Sequence, residues 1–210
     1  MRKFIVSCFT VGLVLASSFA AAGEQVRKVS PFNTIRTQGA LSVEVVVGSA
    51  HSITVKGDDK YMDKIITDIA GDELLISYKE KKNIRISDDL KVIVTMPTLT
   101  KFKMEGAGLT TVSKIAGERF ELNYEGVGLL KMSGKVRDFK LRAQGVGFVD
   151  AKGLVAENVD ATVEGIGSVE VTATEKLKAN VQGIGSLNYF GNPKSISKTV
   201  DGIGGVSAGK

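Results

Sequence analysis

The chain has 210 residues, with 28 Lys and Arg against 23 Asp and Glu, a formal charge of +5, no tryptophan and one cysteine, Cys8. A single cysteine excludes a disulfide framework and a thiolate metal cluster. The charge is mild and scattered, unlike the clustered basic patch of a nucleic-acid binder, and the few aromatics argue against an aromatic-lined sugar groove.

The first 22 residues read as a targeting segment. Arg2 and Lys3 precede a mostly apolar run over 4–19, and Ala20-Ala21-Ala22 offers a small-residue cleavage site before Gly23. This is the pattern of a secretory signal peptide, too short and wrongly flanked for a transmembrane helix. Cys8 falls inside the apolar run, whereas a lipid-attachment cysteine would follow it. The expectation is an exported chain from Gly23 to Lys210, placed in the periplasm, the cell envelope or the medium. Removing Arg2 and Lys3 lowers the charge by two, and no later apolar run is long enough to span a membrane.

Residues 23–97 read as a β-rich portion. Leu41, Val43, Val45 and Val47 alternate with other residues, and Ile53 and Val55 do the same. Period two with β-branched side chains predicts strands. Residues 47–51 would join these two runs as a hairpin. Asp58 or Asp59 is placed to cap a short helical turn through Tyr61 and Met62. The runs 65–69 and 74–78 flank Gly71-Asp72, a second hairpin signal. The charged cluster Lys79-Glu80-Lys81-Lys82 reads as a solvated turn. One more strand covers 90–96 and stops at Pro97.

From residue 98 a repeat takes over. Gly-X-Gly recurs at Gly106 and Gly108, Gly126 and Gly128, Gly145 and Gly147, Gly165 and Gly167, Gly183 and Gly185, and Gly202 and Gly204, in steps of 20, 19, 20, 18 and 19 residues. The residue two before each triplet is Met104, Tyr124, Ala143, Val163, Val181 or Val200. The residue two after is Thr110, Leu130, Val149, Val169, Leu187 or Val206. A constant period without helical periodicity predicts a single-stranded parallel β-helix, a β-solenoid of about six coils of about 19 residues. Right-handed winding is favoured by the crossover rule. Stacked at about 4.8 Å, the coils would make a column on the order of 25–30 Å tall. Glycine suits the corners, where backbones approach closely, and all six triplets are expected to play the same part. A sandwich of hairpins would need turns about every 8–12 residues instead. The whole span 23–210 is expected to form one continuous domain.

Each triplet is preceded by an acid or amide: Glu105, Glu125, Gln144, Glu164, Gln182 and Asp201. Stacked, these would repel, face solvent, or bind a cation between Glu105 and Glu125. Calcium needs six to eight oxygens, which two carboxylates do not supply, so no metal or other cofactor is expected. Phosphate loops require a helix after the glycines, and here a strand follows. His51, the only histidine, lies at a turn. Lys131, Asp150 and Glu170 share one position after their triplets, as do Thr111 and Asn188. Such variety reads as an exposed face, although stacked acids could also serve a glycosidase or lyase. The last coil lacks a cap, and an open end invites self-association through a second copy.

The order of these features resembles the putative auto-transporter adhesin head GIN domain family. The resemblance rests on Phe32-Asn33-Thr34-Ile35, the strands at 41–45 and 55–58, Leu74-Leu75-Ile76-Ser77, the strand at 92–97 and above all the glycine repeat. It implies a right-handed β-solenoid outside the cytoplasm with an adhesin role and no established catalytic residues. The family often carries a lipoprotein signal, from which this chain departs. The expected function is non-catalytic binding or adhesion toward an envelope protein or glycan. An envelope scaffold or sensor, and a carbohydrate-active enzyme, stand behind it.

Overall fold

The computed structural model describes residues 23–79 and 90–209. The signal-peptide expectation for 1–22, and residues 80–82 of the charged turn, lie outside the described residues.

The repeat region winds as expected. Strands β8 (Lys101–Tyr124), β9 (Val127–Ala143), β10 (Val146–Val163) and β11 (Ile166–Phe190) pair in parallel, each with the next. β12 (Ser195–Gly202) and β13 (Gly205–Ala208) close the last coil on β11. Gly108 pairs with Gly128, Gly128 with Gly147, and Gly147 with Gly167, so the triplets form one corner of a β-solenoid of about five turns. The glycine requirement is physical. Gly147 has φ +148°, and a Cβ there would fall on the carbonyl oxygen of Gly128 in the neighbouring coil. An L side chain fits neither the backbone conformation nor the space.

The six triplets are not equivalent, which corrects one expectation. In the first four the second glycine has positive φ, at Gly108, Gly128, Gly147 and Gly167. In the last two the first glycine does, at Gly183 and Gly202, which pair with each other. Gly185 and Gly204 therefore lack the left-handed backbone of their counterparts. An added Cβ at Gly185 would stand 3.2 Å from Gly167 O and from Val163, a tight fit that small shifts relieve. At Gly204 it would fall on Gly185 O, so glycine is required there by space alone. The step from Gly165 to Gly183 is the shortest of the repeat, 18 residues, and β11 runs unbroken through its triplet. The shortened coil thus meets its bend at the leading glycine.

Successive side chains alternate in and out, as a strand dictates. The inward positions build ladders: Met104, Tyr124, Ala143, Val163 and Val181 on one side of the corner, and Thr110, Leu130, Val149, Val169 and Leu187 on the other, all buried. Phe120 and Phe139 stack with ring centroids 5.8 Å apart. Each fully buried aliphatic side chain contributes about 2 kcal/mol from burial. The uneven steps of the repeat are absorbed by bulges, for example between Val112 and Ile115 and between Asp150 and Gly153. Register is therefore restored on both sides of each irregularity.

The N-terminal portion continues the column in an order that is not the order of the chain. β2 (Thr34–Ala40) and β3 (Ser42–Val47) lie in parallel on β8, with Gly39 opposite Gly106 and Val43 opposite Thr110. Beneath them lie β6 (Glu73–Tyr78), parallel to β2, and β7 (Lys91–Met96), parallel to β3. Antiparallel strands then cover this end. β5 (Ile65–Ala70) pairs with β6, β4 (Ser52–Gly57) with β7, and β1 (Gly23–Arg27) with β4. The β5–β6 hairpin turns at Gly71-Asp72 as the sequence predicts. Asp58 caps α1 (Asp59–Met62), accepting from the Lys60 amide at 2.9 Å.

A second expectation is corrected here. β3 and β4 do not form a hairpin, because β7 lies between them and pairs with both. The four connecting residues 48–51 can span about 13 Å, enough to step over one strand at about 4.8 Å per rung. β7, buried at Val92, Val94 and Met96, thereby gains a partner on each side.

Candidate binding face

Outward positions of the second strand in each coil form two columns. Arg119, Asp138, Asn158 and Lys176 are in register, and beside them run Glu121, Lys140, Asp160 and Lys178. With Lys101 below, the second column alternates in sign. Lys101 Nζ lies 3.2 Å from Glu121, and Lys178 Nζ lies 3.3 Å from Asp160. From Arg119 and Glu121 to Lys176 and Lys178 the two columns line a groove of about 550 Å³ whose floor is the sheet at Phe139 and Val159. Asn158 donates to Asp138 at 2.9 Å and Arg137 Nε donates to it at 3.2 Å, and these bonds hold the Asp138 carboxyl low. Burial pushes the Glu121 carboxyl up, but the bonds from Lys101 and from Asn123, at 3.0 Å, outweigh it and leave it lowered.

The acid and amide column is stacked, and the charges of Glu105, Glu125 and Glu164 are met by Arg36, Lys103 and Arg142, each two residues before a column position. Arg36 Nε and Nη2 donate to the two oxygens of Glu105 at 2.7 and 3.0 Å, and Gln38 donates at 2.7 Å. Lys103 Nζ sits between Glu105 at 2.5 Å and Glu125 at 3.4 Å, in the place a bound cation would take. Arg36 first, then Lys103 and Gln38, lower the Glu105 carboxyl to about 2 against the opposing effect of burial. Higher up, Arg142 Nη2 lies 3.0 Å from both oxygens of Glu164, and Gln144 donates to it at 2.6 Å. Among the described residues no group of three or more His, Cys, Asp or Glu is arranged to hold a metal.

The middle residues of the triplets form a third outward feature. Val127, Val146, Ile166, Ile184 and Ile203 are 48–75 % exposed and run along the corner as an apolar ridge. The turn-forming role of the glycines leaves their neighbour pointing outward. Beneath the ridge, the buried Tyr124 leans into the next coils, its hydroxyl donating to Gly128 O at 3.1 Å with Val146 O at 3.4 Å. Burial raises its hydroxyl pKa, the bond to Gly128 opposing.

The remaining candidates have structural surroundings. His51 is part-buried, its Nε2 2.9 Å from Phe32 O and 3.2 Å from Phe32 N, with the two rings edge to face at 5.0 Å. Asp150 lies in register between Lys131 and Glu170, and Lys131 Nζ is 3.6 Å from Asp150. The groove residues were missed in the sequence because charges 18–20 positions apart look scattered. The available signal was the repeat itself, read at the second strand rather than at the glycines.

The family model described as "Putative auto-transporter adhesin, head GIN domain" matches residues 31–193. Among solved structures, a putative adhesin from Bacteroides fragilis NCTC 9343 has a TM-score of 0.75 at 22 % identity, covering 90 % of this chain and 97 % of its own. A putative lipid binding protein from Parabacteroides distasonis ATCC 8503 has a TM-score of 0.52 at 20 % identity, covering 91 % and 98 %. A putative adhesin from Parabacteroides merdae ATCC 43184 has a TM-score of 0.50 at 16 % identity, covering 91 % and 98 %. At these identities the likeness is one of fold. Among curated proteins none matches.

Proposed function

The chain belongs to the putative auto-transporter adhesin head GIN domain family, and from that premise we propose that it is an exported, non-catalytic binding domain of adhesin type. The observation that carries this reading is the groove of about 550 Å³ along the second strands, lined by charged side chains held in register on a continuous β-column. A rigid scaffold presenting polar side chains at fixed spacing suits recognition of an extended partner at little ordering cost. The acids that stack after the triplets face a lysine and solvent, which supports binding over acid–base chemistry.

Export is supported by the signal-peptide pattern of residues 1–22, with the periplasm, cell envelope or medium as destination. The span 23–210 is read as one domain, because β2 and β3 stack on β8. The partner is an envelope protein or glycan. The test is capture from an envelope extract, and binding to a glycan array, by purified chain beginning at Gly23. Specific retention of one partner supports the reading. An empty array together with an empty extract overturns it, as does turnover of a polysaccharide by the same preparation.

A second reading has one observation behind it. The exposed ridge from Val127 to Ile203 would suit contact with a lipid surface, and a protein of similar fold is called a putative lipid binding protein. Co-sedimentation with zwitterionic lipid vesicles, lost on Ile166→Ser/Ile184→Ser substitution, would favour it. No co-sedimentation would remove it.

A further inference from the structure

We propose that the groove along the second strands binds a linear polysaccharide bearing carboxylates. This rests on the binding-domain reading and names its ligand class. The groove is nearly balanced in formal charge, but its charges are not equally engaged. Each of its three carboxylates has a partner: Glu121 has Lys101, Asp138 has Arg137 and Asn158, and Asp160 has Lys178. Of its four cations only Lys178 is so paired. Arg119 faces Asp138 across the register and Lys140 faces Glu121, yet neither forms an ion pair with a carboxylate of the described residues, and neither does Lys176. Three cations therefore make no ion pair and can turn to an anion, Arg119 and Lys140 acting on Asp138 and Glu121 only through space, while each carboxylate that would repel the anion is already engaged, Asp138 by an Arg137 that it shares with Glu118.

Their arrangement is linear. Arg119 and Lys176 stand in one column three rungs apart, about 14 Å at the spacing of stacked strands. Lys140 stands in the adjacent column between them. An extended polymer lying along the column axis would meet a cation at successive intervals, and Arg119 can bind a carboxylate with two parallel bonds. Asn158, in register between Asp138 and Lys176, supplies a polar group for hydroxyls. Single-stranded nucleic acid is recognised by stacking on outward aromatics, whereas Phe139, the groove's aromatic, is buried. A polymer of anionic sugars needs charge and hydrogen bonds and can do without a stacking platform.

The experiment measures binding of the purified chain to alginate by calorimetry or biosensor, with dextran, polyphosphate and single-stranded DNA as separate arms. The parent should bind alginate and not dextran, and should weaken about tenfold between about 50 and about 200 mM salt, as release of a few counterions requires. Arg119→Gln/Lys140→Gln/Lys176→Gln should weaken binding by about tenfold or more, because it removes every unpaired cation of the groove. Lys60→Gln/Lys131→Gln/Lys135→Gln, an equal charge loss elsewhere, should leave it within about twofold. Thermal melts of both variants verify that they fold. No binding of alginate, equal weakening by the two variants, or equally strong groove-dependent binding of polyphosphate or DNA would overturn the inference. A partner found on the array or in the extract would leave the broader binding reading standing in each of those cases.

Discussion

Arg36 grips Glu105 through two parallel bonds, 2.7 and 3.0 Å long, and so clamps β2 to the first coil of the repeat. Glu105 is only 17 % exposed, and its carboxyl is lowered from 4.5 to about 2. A group whose folded value is depressed stabilises the fold above its unfolded value, and that contribution is lost as pH falls toward the folded value. The chain should therefore lose about 2 kcal/mol from this group between about pH 4.5 and pH 2. Glu105→Gln should be less stable than the parent at pH 7 and show a shallower loss in acid. Urea unfolding at a series of pH values checks both slopes, and parallel curves would refute the clamp.

Two glycine substitutions should differ sharply. At Gly167, with φ +149°, an added Cβ would land on Gly147 O, so Gly167→Ala should cost about 3 kcal/mol or more. At Gly205 nothing lies within 4 Å of the added atom and φ is not in the left-handed range, so Gly205→Ala should fall within about 0.5 kcal/mol of the parent. Thermal melting of the two variants side by side tests this. Equal midpoints would mean that the corners do not need glycine.

Tyr124 is buried and its hydroxyl reaches two carbonyl oxygens of the glycine corners. Tyr124→Phe keeps the ring that fills the space beside Gly145. It should cost about 1 kcal/mol, the usual net contribution of one such bond. Chemical denaturation gives the number directly, and an unchanged midpoint would mean that water satisfies those carbonyls equally well.

Lys198 occupies an inward column of the last coil, directly beyond Ala179. Its ammonium lies 4.6 Å from the centre of the Tyr189 ring and 3.3 Å from Val206 O, laid across the open end of the core. Ile196 and Val200, in flanking inward columns, are left exposed. A charged residue at a sheet end discourages edge-to-edge pairing. Lys198→Leu should therefore raise the mass seen by sedimentation velocity at a fixed concentration. A mass identical to the parent would mean that this end does not govern association through a second copy.

How far the sequence carried depended on the range over which each feature acts. The glycine corners were legible because Gly147 and its equivalents are constrained by the coil one repeat away. Which glycine of a triplet makes the bend was not legible, since Gly185 and Gly204 match Gly147 in motif and differ from it in backbone angle. The Asp58 cap and the turn at Gly71-Asp72 were legible because each is decided within a few residues. The β3–β4 hairpin misled, since local spacing cannot reveal that Val92, Val94 and Met96 return from 40 residues later to part the two strands. The pairing of Lys101 with Glu121 and of Lys178 with Asp160 became visible only once the bulges had fixed which rung faces which. The compensation of Glu105 by Arg36 spans 69 residues and joins two regions that share no repeat.

The strands at 73–78 and 91–96 lie under those at 34–47, which in turn lie under the repeat. A polypeptide emerging from its N-terminus cannot lay this column down like bricks from the bottom course. The stretch at 34–47 must wait for its lower neighbours to be made, and meanwhile offers two bare margins to whatever it meets. Closing that gap spends chain entropy before any neighbour is gained. Nascent material should thus stay open until residue 96 is available, and only then can the lower courses be set beneath those already made.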